Sequence, residues 1–481
     1  MSEDSSQALI PIEKSRELEK SISSFSPAVA DFLRDVGLPT ENILSPVEER
    51  KKVINELKNA LEILPMEERQ RAYYLTKFTV AIAVGLFDGA LNYLWDETIS
   101  SLRRLVSKVD LGYFFAVAAT ISSRNKSFSS ADDLDQVADH DLLEACRRIG
   151  LLSDVNYARL EHVNYMRNHA SAAHPNENDL DGYEMLSWLA TCLRHAITAE
   201  PDHSVISMKQ LLTNIRSESI PATDIPLIGS DLVKLSQERV DDFVWTLFGM
   251  FVDPRQTPTA KGNIKVLAPY VWPSASEDRR YDIGSRFGVF RNNADVARKD
   301  ATQEFLEAVG GVKYKDEDSL AGELIDKLGL LKSVHFGLNN FYNEYPHARG
   351  LEQSLPQTGV VPRAARSLWV KVICICYVGN GAGYREGVDE GALPYYTRYI
   401  DNFSDEEIVE FTRLFSDPEF ASALNRSKTD RRVRELATRL RIKTNHLQIQ
   451  QALDLIIKAP DRTVYGLSNT SAYKRILGEI H

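Results

Sequence analysis

The sequence predicts an all-α protein, with an N-terminal antiparallel helical bundle followed by a second, mostly helical domain. Apolar residues recur at three- and four-residue spacings in most segments, which is the period of an amphipathic helix. Strand and helix patterns do not alternate regularly, so a Rossmann-type sheet is not expected. The chain has 481 residues, more than one average hydrophobic core organises, and we therefore expect several domains.

The first clear helical patterns lie before residue 110. Residues 45–64 place four apolar side chains on one helix face, namely Val53, Leu57, Leu61 and Leu64. The apolar spacing in residues 67–109 predicts either one very long helix or two abutting helices. Gly85 and Gly89 are the points where such a helix would bend or pack closely.

Three further segments complete the predicted bundle. Residues 129–152 pattern as one or two short helices, and residues 153–174 form a helix that runs into Pro175. Residues 182–197 form another amphipathic helix. Because the connections between these helices are short, residues 1 to about 200 are expected to pack as an antiparallel bundle.

The helical pattern is interrupted more often in the middle of the chain. Proline and glycine interrupt residues 205–265, and residues 263–273 are interpreted as one short strand. Helical patterns then return and continue to the end. The predicted division is an N-terminal helical extension, a helical bundle, an irregular connecting segment and a C-terminal regulatory or docking domain, at residues 1–65, 66–204, 205–274 and 275–481.

Charge and composition exclude several classes of protein. The net charge of −11 is unlike that of a generic polyanion binder, which carries a basic excess. Residues 426–443 nevertheless carry eight Lys/Arg against two acids. This segment is either a solvated helix face or a surface that guides RNA phosphates. In the second case the RNA-binding residues would be Arg431, Arg432, Arg434, Arg439 and Arg441.

Neither a membrane segment nor a secretory leader is predicted. The chain contains no apolar run of about 18 residues, and its N-terminus is acidic and polar. We therefore expect a cytoplasmic protein without a membrane partner.

Cysteine and histidine spacing gives no metal-site pattern. The four cysteines lie in apolar segments, where structural burial is favoured over a metal or redox role. The spacing of His162, His169 and His174 does not match helical zinc ligands. We expect no metal and no cofactor.

The glycine-rich segment 378–391 lacks the P-loop and dinucleotide patterns. It is interpreted either as a loop whose glycines only shape the backbone, or as a contact for a ligand or a trigger.

The strongest candidate for chemistry is the stretch "MRNHASAAHPN", residues 166–176. At about 100° per residue, Arg167 and His174 return nearly to the same helix face, with Ser171 between them. The neighbouring alanines leave room for a large ligand. Pro175 disfavours helical geometry for the residue before it, so His174 is expected at the open helix end.

These residue types suit phosphodiester chemistry. An arginine holds a phosphate in a two-pronged fashion, and a histidine takes a proton from a ribose 2′-hydroxyl or gives one to a departing oxygen. Asn168 offers both a donor and an acceptor. The alternative is a polar helix end, in which these side chains cap carbonyls or pair with acids such as Glu161 or Glu177.

The motif resembles that of the HEPN family, whose ribonuclease members carry an arginine, usually followed by a polar residue, and then a histidine, with four to six residues between the arginine and the histidine. Here Arg167, Asn168 and His174 match, within a resemblance that covers roughly residues 70–200. The resemblance implies a helical bundle that forms a homodimer and cleaves RNA without a metal. It also implies products with a 2′,3′-cyclic phosphate and a 5′-hydroxyl.

If the roles of the family's residues are transferred to this chain, the resemblance implies that Arg167 binds the phosphate, Asn168 orients it and His174 transfers the proton. His169 and Ser171 are auxiliary candidates. The implied biology is a toxin or abortive-infection effector in antiviral defence, acting on tRNA or mRNA of the host or a phage. A protein or phage-derived trigger would act at the C-terminal domain. The alternative is a non-catalytic HEPN-like module that binds a nucleotide or a protein.

Overall fold

The computed structural model describes residues 12–170, 180–381, 387–425 and 427–480. Within these ranges the chain is helical and contains no β-strand, which confirms the predicted all-α class. None of the helices described there has the length and apolar character needed to cross a membrane. The contacts divide the chain into two compact units, residues 1–250 with 256–264, and residues 251–255 with 265–481.

The first unit contains the region in which the bundle was predicted. The α-helices that begin in it are α1 (Ile12–Asp35), α2 (Val47–Leu61), α3 (Met66–Arg69), α4 (Tyr73–Val84), α5 (Phe87–Ser107), α6 (Leu111–Ile121), α7 (Asp139–Arg148), α8 (Asp154–Ala170), α9 (Gly182–Cys192), α10 (His203–Ser217), α11 (Ile225–Leu232), α12 (Gln237–Val252) and α13 (Pro258–Val271). Short 3-10 helices occur at Ser123–Ser127 and Ala131–Gln136, and a π-helical turn, Leu193–Ile197, continues α9.

Helix α5 is the central element of the first unit. It packs against α4, α7, α8 and α9. Its inward face is fully buried through Leu91, Leu94, Trp95 and Leu102. The Trp95 indole Nε1 donates a hydrogen bond of 2.8 Å to Asp139 at the start of α7. This polar contact ties the two helices at the edge of an apolar core.

The predicted segment 67–109 forms two helices, which was one of the two alternatives. Helix α4 ends at Val84, and Gly85 follows with a left-handed φ of +95°. Such a φ is unstrained only for glycine, which explains why the helix ends there. Gly89 lies inside α5 and does not interrupt it.

The prediction of an irregular connecting segment at residues 205–274 is wrong, because helices α10 to α13 occupy most of this range. The strand predicted at 263–273 is also wrong, since α13 runs to Val271. The buried residues of α13 recur at helical spacing, namely Ala260, Asn263, Ile264, Leu267, Ala268 and Val271. Burial of this helical face outweighs the strand propensity of the valine, isoleucine and aromatic residues there.

The second unit is built from the remaining helices. They are α14 (Glu277–Asn292), α15 (Val296–Ala308), α16 (Glu317–His335), α17 (Asn340–Asn343), α18 (Tyr345–Gly350), α19 (Arg363–Val378), α20 (Leu393–Asp401), α21 (Asp405–Arg413), α22 (Pro418–Ala423), α23 (Ser427–Lys443), α24 (Leu447–Lys458) and α25 (Ser471–Glu479). Short 3-10 helices lie at Trp272–Ser274, Val312–Tyr314, Leu351–Ser354, Leu414–Ser416 and Val464–Asn469.

Helix α19 forms the centre of the second core. It packs against α16, α20, α21, α22 and α23. Its residues from Trp369 to Val378 are almost all buried, including both Cys374 and Cys376. All four cysteines of the chain are free and buried, which confirms the burial predicted for them.

Candidate active site

Helix α8 carries the described part of the predicted motif. It packs against α5, α7 and α9 and buries Leu160, Val163 and Ala170. Arg167 and Asn168 lie in its last turn. Ser171, His174 and Pro175 lie outside the described residues. The shared helix face of Arg167 and His174 therefore stays a prediction.

Arg167 lies on the bundle side of α8. It follows the buried Leu160 and Val163 by seven and four residues, which puts the three side chains on one side of the helix. Its side chain is half-buried. Its Nη1 donates to the Asn168 Oδ1 over 2.9 Å. The neighbouring asparagine thus holds one prong of the guanidinium and leaves the other donors for a ligand.

Asp96, a half-buried residue of α5, was not predicted from the sequence. Burial raises the pKa of the Asp96 carboxyl, while the positive charge of Arg167 opposes that rise. Asp139 raises this pKa further, and Lys77 and Arg103 lower it. The signal in the sequence was an acid directly after Trp95, inside a largely apolar helix. Such a carboxyl can orient an arginine or exchange a proton.

His169 points away from Arg167. The helix pitch separates the two residues by about 200°, and the His169 ring stacks on Tyr165 with 4.1 Å between ring centroids. Its Nδ1 lies 2.7 Å from the carbonyl oxygen of Tyr165. Because a carbonyl only accepts, Nδ1 carries the hydrogen, and Nε2 of the neutral ring is an acceptor. His169 is exposed, and no hydrogen bond joins it to the described side chains of Arg167 or Asn168.

A groove of about 660 Å³ runs between α8 and α9, and Arg159, His162 and Trp188 are among the residues that line it. The Arg159 Nη1 lies 3.1 Å from the His195 Nε2, which must accept because a guanidinium only donates. Burial, Arg159 and Arg194 all lower the pKa of His195. The groove is a ligand-sized surface between α8 and α9, and Arg167 is not among the residues that line it.

Several arginines of the predicted RNA-binding segment have acidic or carbonyl partners within α23 and its neighbours. Arg434 pairs with Asp430 at 3.0 Å and donates to the Pro460 carbonyl. Arg439 pairs with Asp401 at 2.7 Å. Arg441 pairs with Asp454 at 3.0 Å, and Arg431 approaches Glu435 at 3.6 Å. These pairs reduce the positive potential that α23 presents, while Arg431 remains largely exposed.

The described parts of the glycine-rich segment 378–391 form a shaped turn. Gly379, Gly381 and Gly387 have positive φ values of 89°, 67° and 74°. The amide of Asn380 donates to the His335 carbonyl over 3.0 Å. Tyr384 and Arg385, which lie within the segment predicted as a possible ligand or trigger contact, are outside the described residues.

Comparison of the chain with protein-family models, curated proteins and solved structures finds no match.

Proposed function

We propose that this protein is a metal-independent endoribonuclease of the HEPN type. The observation that carries the proposal is the setting of Arg167. The residue lies at the end of a bundle helix, half-buried, next to the amide oxygen of Asn168 and within the electrostatic influence of Asp96. An arginine held in this way is ordered for binding a phosphate oxygen pair. In the sequence His174 follows seven residues later, which completes the motif.

The proposed reaction is an intramolecular transesterification. His174 takes the proton of the ribose 2′-hydroxyl, and the 2′-oxygen attacks phosphorus. The bond from phosphorus to the 5′-oxygen breaks, and that oxygen takes a proton from the protonated His174 of a second copy. Arg167 stabilises the charge that develops on the phosphoryl oxygens. The products are a 2′,3′-cyclic phosphate and a 5′-hydroxyl.

The wider role that we propose is that of a toxin or effector in antiviral defence. A homodimer would bring two motifs into one composite site, and host or phage tRNA or mRNA would be the substrate. A phage-derived or protein trigger would act on the second unit. Arg431, on the exposed side of α23, is the residue of that helix placed best to contact RNA.

The test is an RNA cleavage assay with the full-length protein in EDTA. Wild-type protein is expected to cleave total RNA and to leave cyclic-phosphate ends, which block ligation at the 3′ end until the cyclic diester is hydrolysed and the resulting monophosphate is removed. Arg167→Ala and His174→Ala should each lower the rate by a factor of about 10² or more, as expected for loss of charge stabilisation or of acid–base catalysis.

The controls are Arg159→Ala and His162→Ala. These exposed residues have the same side-chain types on the same helix, but they face the groove between α8 and α9. Both variants should cleave like the wild type. Cleavage that survives Arg167→Ala and His174→Ala, or that disappears in EDTA, contradicts the proposal.

The second candidate function is a non-catalytic interaction module, and the groove between α8 and α9 favours it. In that case Arg159→Ala and His162→Ala would weaken binding of a nucleotide or protein partner, and no variant would affect RNA. Absence of cleavage under every trigger condition tested would support this module over the ribonuclease.

A further inference from the structure

A buried polar cluster lies in the second unit, beside the glycine-rich segment. It consists of His335 at the end of α16, Glu344 between α17 and α18, Cys376 in α19 and Tyr396 in α20. All four side chains are completely buried, each with 0% exposure. Four separate helical elements therefore place polar groups at one point inside an apolar core.

Glu344 is the centre of this cluster. Its Oε1 accepts from the His335 Nδ1 over 2.7 Å and from the Asn340 amide over 2.9 Å. Its Oε2 accepts from the Tyr396 hydroxyl over 2.7 Å. The same hydroxyl lies beside the Cys376 thiol. The carboxylate is thus fully hydrogen-bonded, but only His335 can supply it with a positive charge.

The hydrogen bonds of the cluster leave one ring nitrogen of His335 without a partner among the described residues. Its Nε2 is buried and has no hydrogen-bond partner among the described residues. If the ring is an imidazolium, a charged N–H is left without an acceptor. If the ring is neutral, Glu344 is a buried anion without a countercharge. Either state carries a penalty of a kind that native cores usually avoid.

A divalent cation removes the charge imbalance. His335, Glu344 and Cys376 can each offer one ligand atom, and these three atoms lie within 4.8 Å of one another. Imidazole nitrogen, carboxylate oxygen and thiolate sulfur are the ligand types of zinc. One thiolate and one carboxylate balance the two positive charges of the ion, and the proton of the thiol is released on binding.

We propose that His335, Glu344 and Cys376 form a buried zinc site that joins α16, α18 and α19. The ion would take the place of the proton between the His335 Nδ1 and the Glu344 Oε1. That proton is released to solvent if the ring is an imidazolium, and it moves to Nε2 if the ring is neutral. Two ligands at about 2.0 Å in a tetrahedral site lie roughly 3.3 Å apart, so these atoms must separate from 2.7 Å. The ring can tilt because no hydrogen bond holds its Nε2. The Tyr396 hydroxyl, which lies 2.7 Å from the Glu344 Oε2, offers an oxygen for the fourth position.

Such a site would hold the glycine-rich segment from both sides. The Asn340 amide, which bonds to Glu344, also donates to the Gly387 carbonyl over 2.8 Å. On the other side, Asn380 donates to the carbonyl of His335. The zinc is thus a structural ion near the expected trigger contact, and it is independent of the ribonuclease proposal.

The test measures zinc and cobalt binding by the full-length protein. After incubation with one metal and dialysis, we expect about one ion per chain, and the cobalt form should show a thiolate-to-cobalt charge-transfer band. Cys376→Ser should abolish that band and weaken binding at least about tenfold. The control is Cys374→Ser, since Cys374 is equally buried in the same helix but outside the cluster.

Three results would overturn the proposal: no metal retained by folded wild-type protein, equal effects of Cys374→Ser and Cys376→Ser, or a cobalt spectrum without the thiolate band. If Cys376→Ser does not fold, X-ray absorption at the zinc edge of the wild-type protein decides. One sulfur at about 2.3 Å with nitrogen or oxygen neighbours at about 2.0–2.2 Å supports the site. A shell without sulfur refutes it.

Discussion

The positive charge of Arg167 acts on the half-buried carboxyl of Asp96 and lowers its pKa, against the larger effect of burial. Burial raises the pKa of Asp96, so the folded protein binds this proton more tightly than the unfolded chain does. The stabilisation from this proton is complete below the unfolded pKa of about 3.9. It is lost as the pH rises through the folded pKa. At neutral pH the Asp96 carboxylate therefore works against folding, and a role in positioning Arg167 would give a reason for its presence.

Asp96→Asn tests this interpretation. At neutral pH we expect the variant to be as stable as the wild type or more stable, because a disfavoured buried charge is gone. Its RNA cleavage should fall by about tenfold to a hundredfold, since Arg167 loses an orienting partner. Melting temperatures at pH 4 and pH 7, with cleavage rates at pH 7, measure both effects.

The control for Asp96→Asn is Asp133→Asn, because folding shifts the pKa of Asp133 in the opposite direction. Hydrogen bonds from the backbone of Ser129 and Ser130 lower the pKa of the half-buried Asp133. Its stabilisation is therefore present at neutral pH and is lost as the pH falls through the folded pKa. Asp133→Asn should lower the melting temperature at pH 7 and leave cleavage unchanged. A stability loss at pH 7 in Asp96→Asn would contradict our account of Asp96.

At the scale of the elements, the break between α4 and α5 depends on one glycine and one buried arginine. Arg50 of α2 is 1% exposed, and its Nε donates to the Ser45 carbonyl over 2.7 Å. The Ser45 amide in turn donates to the carbonyl of Gly85 over 2.8 Å. The turn between α4 and α5 therefore closes directly over the guanidinium of α2.

Gly85→Ala should destabilise the protein by about 2–4 kcal/mol, from a left-handed alanine and from steric overlap. The added Cβ would lie 2.6 Å from the Arg50 guanidinium carbon. Gly89→Ala is the matched control, because its Cβ would meet nothing closer than 3.9 Å. That change should stabilise α5 by about 0.5–1 kcal/mol. Urea unfolding measures both, and equal effects of the two changes would contradict the assignment.

The arginines of helix α23 fall into two groups that its basic sequence does not distinguish. Some stabilise the fold, and others are exposed and available for a contact with RNA. Arg434 donates to carbonyls at the end of α24, Ile457 and Ala459 among them, and pairs with the buried Asp430. Arg434→Ala should therefore cost about 2–4 kcal/mol of stability, without changing the salt dependence of RNA binding. The measurement combines urea unfolding with RNA affinity at several salt concentrations.

Arg431→Ala should behave in the opposite way. Arg431 is exposed, and its contact with Glu435 is worth at most about 1 kcal/mol. If α23 contacts RNA, this change should weaken binding and reduce the salt slope by about one. A salt slope that changes in Arg434→Ala but not in Arg431→Ala would reverse our assignment of these two residues.

At the scale of the whole molecule, the proposed chemistry needs two copies of the chain. Two motifs in one composite site supply a base and an acid, whereas one motif supplies a single histidine. We therefore expect a dimer in sedimentation experiments, and a specific activity that falls when the protein is diluted below its dimer dissociation constant. A monomer whose activity per chain does not change with dilution would contradict the composite site.

Local sequence determined the features that depend on short-range physics. The apolar period of 3.6 residues determined the helical class, and a glycine at positive φ determined where α4 ends. Cysteines inside apolar runs were predicted to be buried, and they are. The same local reasoning failed at residues 263–271, where β-branched residues suggested a strand but burial of one helical face prevailed.

Tertiary structure alone decided which distant residues meet. Asp96 and Arg167 are 71 positions apart, and only the packing of α8 on α5 brings them together. His335 and Cys376 are 41 positions apart and lie on different helices of one core. No local pattern encodes such pairs, because they arise from the way that apolar faces pack. The "RN" of the motif was visible in the sequence, but its acidic neighbour and the buried cluster required the fold.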